Sequence, residues 1–123
     1  MEFQELTEKI IGCAYTVYNK MGFGFLESVY EKCMLIELEK AGLDTDAQKP
    51  IKVNYKNEVV GEFIADILVN DTVIIELKSV RKVVQAHEVQ LVNYLVATDK
   101  PVGLLLNFGE NGVEVKHKLR ELK

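Results

Sequence analysis

The sequence predicts an α/β (α+β) domain in which a central mixed β-sheet is flanked by helices, in the order ααβββαββ. Apolar residues recur at helical spacing through the first forty residues, and alternating or continuous apolar runs follow up to residue 78. A further apolar run comes after a third helical segment, so it can pair in parallel through a crossover. With 123 residues, 48% of them apolar, the chain has the size of a single domain, residues 1–123.

The first two elements are predicted helices over residues 6–19 and 26–40. The glycine-containing stretch 21–24 separates them, and Gly42 is a good stop for the second helix. The two cysteines, Cys13 and Cys33, each fall on the apolar stripe of a helix, which favours buried free thiols over a disulfide.

Three strands are predicted next. Residues 51–55 alternate cleanly, residues 56 and 57 form a turn, and residues 58–69 form a long strand that bends near Gly61. Residues 72–78 form the third strand, and its consecutive apolar residues predict that both of its faces are covered.

The last three elements are a helix and two strands. The helix is predicted over residues 84–97, and the strand over residues 102–107 has no polar face. A turn at residues 110–112 leads to a polar strand over residues 113–118. If this strand lies exposed at an edge of the sheet, it can pair with a second copy of the chain and form a homodimer.

Charge and hydropathy exclude some classes of protein. No apolar run approaches the ~20 residues of a membrane span, and the acidic N-terminus lacks an apolar secretory core, so we expect a cytoplasmic protein with no membrane contact. A net charge of −4 weighs against gripping long duplexes through phosphates alone. Basic residues cluster at Lys78, Arg81 and Lys82 and near the C-terminus, either as a solvated surface or as a binding patch.

The most informative residues are three charges set in or beside apolar strands, Asp66, Glu76 and Lys78. Such charges are costly unless they are paired or bound to a metal. Glu76 and Lys78 share a face of their strand. A two-residue loop at residues 70 and 71 would turn Asp66 to the opposite face, whereas an odd-length loop or a bulge would set Asp66 directly across from Glu76. The site hypothesis therefore predicts an odd-length loop or a bulge.

Two carboxylates and a lysine in this arrangement suit a divalent cation, an activated water and a phosphate. Asp66 and Glu76 would bind Mg²⁺, and Lys78 would orient the water or stabilise charge on the phosphate. The alternative is an exposed aspartate at a strand end beside a surface Glu–Lys pair.

Two further groups of residues have both a functional and a structural interpretation. Glu27 begins the second helix, where a carboxylate also interacts well with the helix dipole, and Tyr30 lies one turn on, where its ring can be core. His87, Gln90 and Tyr94 share one face of the third helix, while Val89, Leu91, Val92 and Leu95 supply its apolar stripe. The polar face is therefore either the wet side of the helix or the lining of a cleft.

Together these motifs resemble the GxxExxY family of the PD-(D/E)XK nuclease superfamily. Gly24, Glu27 and Tyr30 match the motif that names the family. The resemblance continues in order through residues 63–66, 73–78, 87–95 and 103–109. Ala65 replaces the proline of the superfamily's name, at a position that varies widely in the superfamily.

The resemblance implies a restriction-endonuclease-like core and a set of roles. Catalytic residues would be Asp66, Glu76, Lys78, Glu27 and Gln90, with the three carboxylates binding Mg²⁺ or Mn²⁺.

Four other residues would contact the nucleic acid: Tyr94, His87, Tyr30 and Arg81. The implied function is metal-dependent hydrolysis of DNA phosphodiester bonds. The alternative is a nucleic-acid-binding or regulatory module on a nuclease fold that does not cleave.

Overall fold

Residues 3–120, the part of the chain that the computed structural model describes, form a five-stranded mixed sheet with helices on both faces. The elements, in chain order, are α1 (Gln4–Met21), α2 (Glu27–Lys40), β1 (Thr45–Tyr55), β2 (Glu58–Val69), β3 (Val73–Lys78), α3 (Gln85–Thr98), β4 (Val102–Gly109) and β5 (Gly112–Leu119). The predicted fold class and the order ααβββαββ are confirmed.

The strands lie in the order β1-β2-β3-β4-β5, so neighbours in sequence are neighbours in the sheet. The β3–β4 pair is parallel and the other three pairs are antiparallel. Helix α3 makes the crossover that a parallel pair requires, which confirms the prediction for the strand after the third helix. The polar last strand is at an edge of the sheet, as expected.

Two apolar clusters, one on each face of the sheet, form the core. Helices α1 and α2 cover one face, where Ile10 and Met34 pack with Ile75 of β3. Helix α3 covers the other face, where Leu91 packs with Ile74. Every residue of β4 is buried, because this central strand is covered from both sides.

The structure departs from the predicted bounds most clearly at β1, which begins at Thr45 and not at residue 51. Its first half is polar and exposed and includes Pro50, so the sequence shows no alternation there. An edge strand tolerates such a composition because one of its sides pairs with no other strand. The β1–β2 register shifts next to Gly61, between Val53 and Asn54. Irregularities of this kind bend a strand, and the predicted bend near Gly61 agrees with it.

Two side-chain predictions have different outcomes. Cys13 and Cys33 are free thiols, as predicted, but only Cys13 is buried and Cys33 is half-buried. Burial raises the pKa of Cys13. The predicted apolar stripe of α3 is wrong at Val89, which is 51% exposed. Leu91 and Leu95, one turn apart, make the buried contact with the sheet, and Val89 lies on the outer side of the helix.

Candidate active site

A three-residue loop, residues 70–72, sets the register between β2 and β3. Val69 pairs with Val73 and Ile67 pairs with Ile75. Asn70 and Asp71 both adopt positive φ angles, 51° and 54°, which these residue types tolerate better than most others. One step further along the same register, Asp66 lies across from Glu76, so the predicted odd-length loop is confirmed.

Strands β2 and β3 separate at Asp66 and Glu76. Ile67–Ile75 is the last backbone pair described between the two strands. Beyond it the Leu77 amide donates a hydrogen bond of 2.8 Å to Asp66 Oδ2. The carboxylate thus takes the place of a strand partner, and its position is fixed by the backbone of β3.

The alternation of β2 also breaks at Asp66. Ala65 packs into the cluster under α3, whereas Ile67 packs into the cluster under α1 and α2. Both residues have odd numbers, so an unbroken strand would place them on one face. Opposite Asp66, Gln48 of β1 has a φ of 52°. The side chains of β2 therefore switch from one face of the sheet to the other at Asp66. This residue lies between α2 and β3.

Glu76 is largely buried, and its Oε1 atom has no hydrogen-bond partner in the described part of the chain. Burial raises the pKa of Glu76 to about 8, and the negative charges of Asp66 and, more weakly, Glu27 act in the same direction. The Asp66 backbone and Lys78 oppose this rise. An unpartnered carboxylate beside other carboxylates is a site built to receive positive charge.

Helix α2 directs two acidic side chains toward this pair. Glu27, its first residue, is exposed and adds to the negative potential at Glu76. Glu31, one turn later, is half-buried; burial raises its pKa, and the charge of Asp66 adds to this effect. Gln48 Nε2 donates to Glu31 Oε1 at 2.7 Å. Glu31 was not predicted from the sequence, although its spacing of four residues from Glu27 was the available signal.

No salt bridge closes the site within residues 3–120. The ion pairs described there are Arg81–Glu110, Lys100–Asp71, Lys118–Glu88 and Arg120–Asp99. Lys78 is half-buried and close enough to lower the pKa of Glu76, but it makes no ion pair within 4.0 Å in these residues. The acidic residues and the lysine are therefore left available to a ligand.

The sequence matches the model of the PD-(D/E)XK nuclease superfamily over residues 4–120. The chain belongs to this superfamily. The crystal structure of SSO0001 aligns with a TM-score of 0.59 and 18% identity, covering 98% of our chain. Our chain spans 61% of the length of SSO0001, and at this identity the likeness concerns the fold alone. No curated protein matches the sequence.

Nucleases of the PD-(D/E)XK superfamily generally use divalent metal ions. The donor set agrees in kind, because Mg²⁺ is commonly held by one or two carboxylates together with waters and phosphates. Within residues 3–120, however, no three His, Cys, Asp or Glu side chains are grouped closely enough to hold a metal by themselves. The fit thus rests on the Asp66–Glu76 pair, and Glu27 stays a predicted third ligand.

Tyr30 lies in the core of this PD-(D/E)XK domain. It is fully buried, its ring stacks on Phe108 with centroids 4.3 Å apart, and its hydroxyl donates to Gly22 O. The structure therefore shows Tyr30 in the core, and a contact of this residue with nucleic acid stays a prediction.

Arg81 lies three residues after the end of β3 and is exposed. Its guanidinium lies 3.5 Å from the Glu110 carboxylate. With Lys82 and residues 109–114 it lines an open cavity of about 450 Å³. The position of Arg81 is compatible with a phosphate contact, which stays a prediction.

The three predicted polar residues of α3 have different surroundings. His87 Nδ1 accepts a hydrogen bond of 3.4 Å from the Val84 amide, which caps the helix. Tyr94 is half-buried and stacks on Phe63 with centroids 3.7 Å apart. Gln90 is exposed and lines a shallow cavity on the outer side of the helix. Hydrogen bonds described for residues 3–120 do not link these side chains to Asp66 or Glu76, and their roles toward substrate stay predictions.

Proposed function

We propose that this protein is a Mg²⁺- or Mn²⁺-dependent nuclease of the GxxExxY group that hydrolyses phosphodiester bonds of DNA. The observation that carries the proposal is that Asp66 lies across from Glu76 where β2 and β3 separate. The Oε1 atom of Glu76 is buried there and has no hydrogen-bond partner among the described residues. A buried carboxylate without a partner is costly in a protein that has no use for it.

Asp66 and Glu76 would hold the divalent cation, with Glu27 contributing from α2. When bound, such a cation lowers the pKa of a coordinated water and offsets charge on the phosphate. The hydrogen bond from the Leu77 amide occupies Asp66 Oδ2 and orients the carboxylate, so that its other oxygen can point toward the ligand. Glu76 must lose its proton to take part, which makes binding stronger at higher pH.

Lys78 would act on the phosphate. It lies two residues after Glu76 on the same strand face, so its ammonium can donate to a phosphate oxygen or to the attacking water. Gln90, Tyr94, His87 and Arg81 would position the DNA from α3 and from the loop before it.

The alternative is a nucleic-acid-binding or regulatory module that does not cleave. Two observations favour it: the net charge of −4, and the lack of a group of three ligand side chains in residues 3–120. Both proposals place nucleic acid at the same site, so cleavage distinguishes them.

The deciding experiment is cleavage of labelled single-stranded, duplex and branched DNA with Mg²⁺ or Mn²⁺. Lys78→Ala is the test variant, and Lys52→Ala, an exposed lysine of β1, is the matched control. We expect metal-dependent cutting by the wild type and by Lys52→Ala, and none by Lys78→Ala. Activity that survives Lys78→Ala contradicts the role of the lysine. Calorimetric metal binding without cutting by any of the three proteins favours the regulatory module.

Two further parts of the proposal concern assembly and location. Strand β5 has an open edge in the five-stranded sheet, so two copies can pair there about a two-fold axis. Sedimentation of the purified protein tests this homodimer. No described helix combines the length and hydrophobicity needed to cross a membrane. A cytoplasmic location is part of the proposal, and fractionation of cells tests it.

A further inference from the structure

The loop between α1 and α2, residues 22–26, exposes three large apolar side chains that are close together in the sequence. Phe23 is 39% exposed, Phe25 is 44% exposed and Leu26 is 75% exposed. The loop contains no charged residue. An apolar group of this kind on the surface marks a contact site more often than chance exposure does.

The loop is held in place by hydrogen bonds. The Tyr30 hydroxyl donates to Gly22 O and accepts from the Phe25 amide at 3.4 Å. Gly22 and Gly24 adopt φ angles of 72° and 115°, which other residues rarely do. The buried tyrosine thus fixes the shape of a loop whose apolar side chains face solvent.

The same loop is tied to the active-site strand. Ser79 Oγ donates a hydrogen bond of 2.8 Å to Phe25 O, and Ser79 directly follows Lys78. On the other side the loop runs straight into Glu27. Phe25 and Leu26 therefore lie beside the residues that would act on the phosphate.

The charges around the loop match a nucleic acid strand. Lys78 and the exposed Arg81 and Lys82 lie within five residues of one another in the segment that Ser79 joins to the loop, and the Arg81 guanidinium also lies 3.5 Å from the Glu110 carboxylate. An uncharged apolar surface beside a basic segment is the combination by which proteins bind single strands, since bases stack on side chains while cations follow the phosphates.

Resting on the proposed function, we propose that the loop 22–26 is a stacking platform for unpaired nucleobases of the strand whose phosphate enters the Asp66–Glu76 site. The substrate class is single-stranded nucleic acid, or the single-stranded part of a branched or frayed duplex. An intact duplex hides the faces of its bases except at the ends, so it offers the platform nothing to stack on.

The absence of tryptophan from the sequence provides a direct probe. Phe23→Trp places one indole on the platform, and Tyr55→Trp places one on an aromatic position that is 63% exposed at the tip of the β1–β2 hairpin. Both are made with Lys78→Ala to prevent cleavage. We expect oligothymidine and oligouridine to quench the fluorescence of the Phe23→Trp probe and to leave that of the Tyr55→Trp probe unchanged. An abasic strand of the same length and a blunt duplex should quench neither.

Affinity gives a second readout. Leu26→Ala and Phe25→Ala should each weaken binding of the base-bearing strand about tenfold, and should leave binding of the abasic strand unchanged. Thermal unfolding shows whether each variant is folded. If Phe25→Ala does not fold, Leu26→Ala alone provides the test. Equal affinity of the wild type for the base-bearing and abasic strands would overturn the proposal. Self-association that Leu26→Ala abolishes would also overturn it, because the loop would then be a contact between copies.

This result is separable from the outcome of the cleavage assay. Quenching by single strands without metal-dependent cutting retains the platform and rejects the proposed hydrolysis. Cutting that occurs without quenching, and at equal rates on single-stranded and duplex DNA, retains the nuclease and rejects the platform.

Discussion

Replacing Glu76 with glutamine tests the central feature of the site, a buried carboxylate that keeps its proton. The pKa of Glu76 rises from 4.5 to about 8 on folding. Between these values the unfolded chain releases a proton that the folded protein retains. The contribution of Glu76 to the free energy of unfolding is therefore fully present below pH 4.5, where the side chain is protonated in both states. This contribution is lost as the pH rises toward 8.

The magnitude follows from the shift. One pH unit corresponds to about 1.4 kcal/mol, so the free energy of unfolding should fall by at most about 5 kcal/mol across this range. Glu76→Gln has no proton to release and should lack this loss. The variant should therefore gain on the wild type as the pH rises, by an amount approaching that limit above pH 8.

The assay is urea unfolding with a chelator present, from about pH 4.5 to about pH 9. Glu62→Gln, the same change at an exposed position of β2, is the matched control and should parallel the wild type. Asp66→Ala is unsuitable as a control because Asp66 Oδ2 accepts the hydrogen bond from the Leu77 amide. If the Glu76→Gln profile also parallels the wild type, Glu76 ionises at an ordinary pH and the reasoning about its burial and its acidic neighbours is refuted.

Four other substitutions test the site and the fold. Lys78→Ala should remove detectable cleavage, a fall of at least about 10²–10³-fold, while calorimetric metal binding persists; loss of metal binding would contradict the role given to the lysine. Asn107→Ala should lower the free energy of unfolding by about 2–4 kcal/mol in urea titrations. The buried Asn107 side chain accepts a hydrogen bond from the Val80 amide and donates one to the Val80 carbonyl in the β3–α3 loop, and the substitution removes both. An unchanged midpoint would show that water replaces these bonds. Gly103→Ala should destabilise by about 1–3 kcal/mol, because a Cβ there would lie 2.9 Å from Leu91 Cδ1. Gly12→Ala, which meets nothing within 4 Å in α1, should instead stabilise by about 0.5–1 kcal/mol; equal effects of the two changes would refute the tight packing of α3.

Much of the fold could be predicted because burial in this chain follows periodic patterns. Helix α1 and strand β4 show the periods of a half-buried helix and of a fully covered strand, and both were found. Strand β1 was placed too late because its polar first half has no apolar face to reveal it. That residues 1–123 form a single domain stays a prediction.

The candidate site could be predicted to the extent that its chemistry shows along one segment. Asp66 and Glu76 stood out as charges in apolar strands, and the parity of the loop gave a geometric test. Glu31 was missed because its closeness to Asp66 exists only after α2 packs against the sheet. The sequence likewise did not decide whether Tyr30 lies in the core or in a cleft, because its stacking partner Phe108 is distant in the chain.

The three-residue loop at residues 70–72 has a consequence for how this protein can evolve. The register between β2 and β3 sets both the packing of the core and the placement of the candidate site. A shift of one residue that moved Asp66 away from Glu76 would also move Ile67 and Val69 out of the apolar cluster under α1 and α2. An insertion or deletion of a single residue there would disturb the core as well as the Asp66–Glu76 pair, so we expect selection on folding alone to remove it. The tip of the β1–β2 hairpin is free of this constraint and can change length, so we expect variation among relatives to concentrate there.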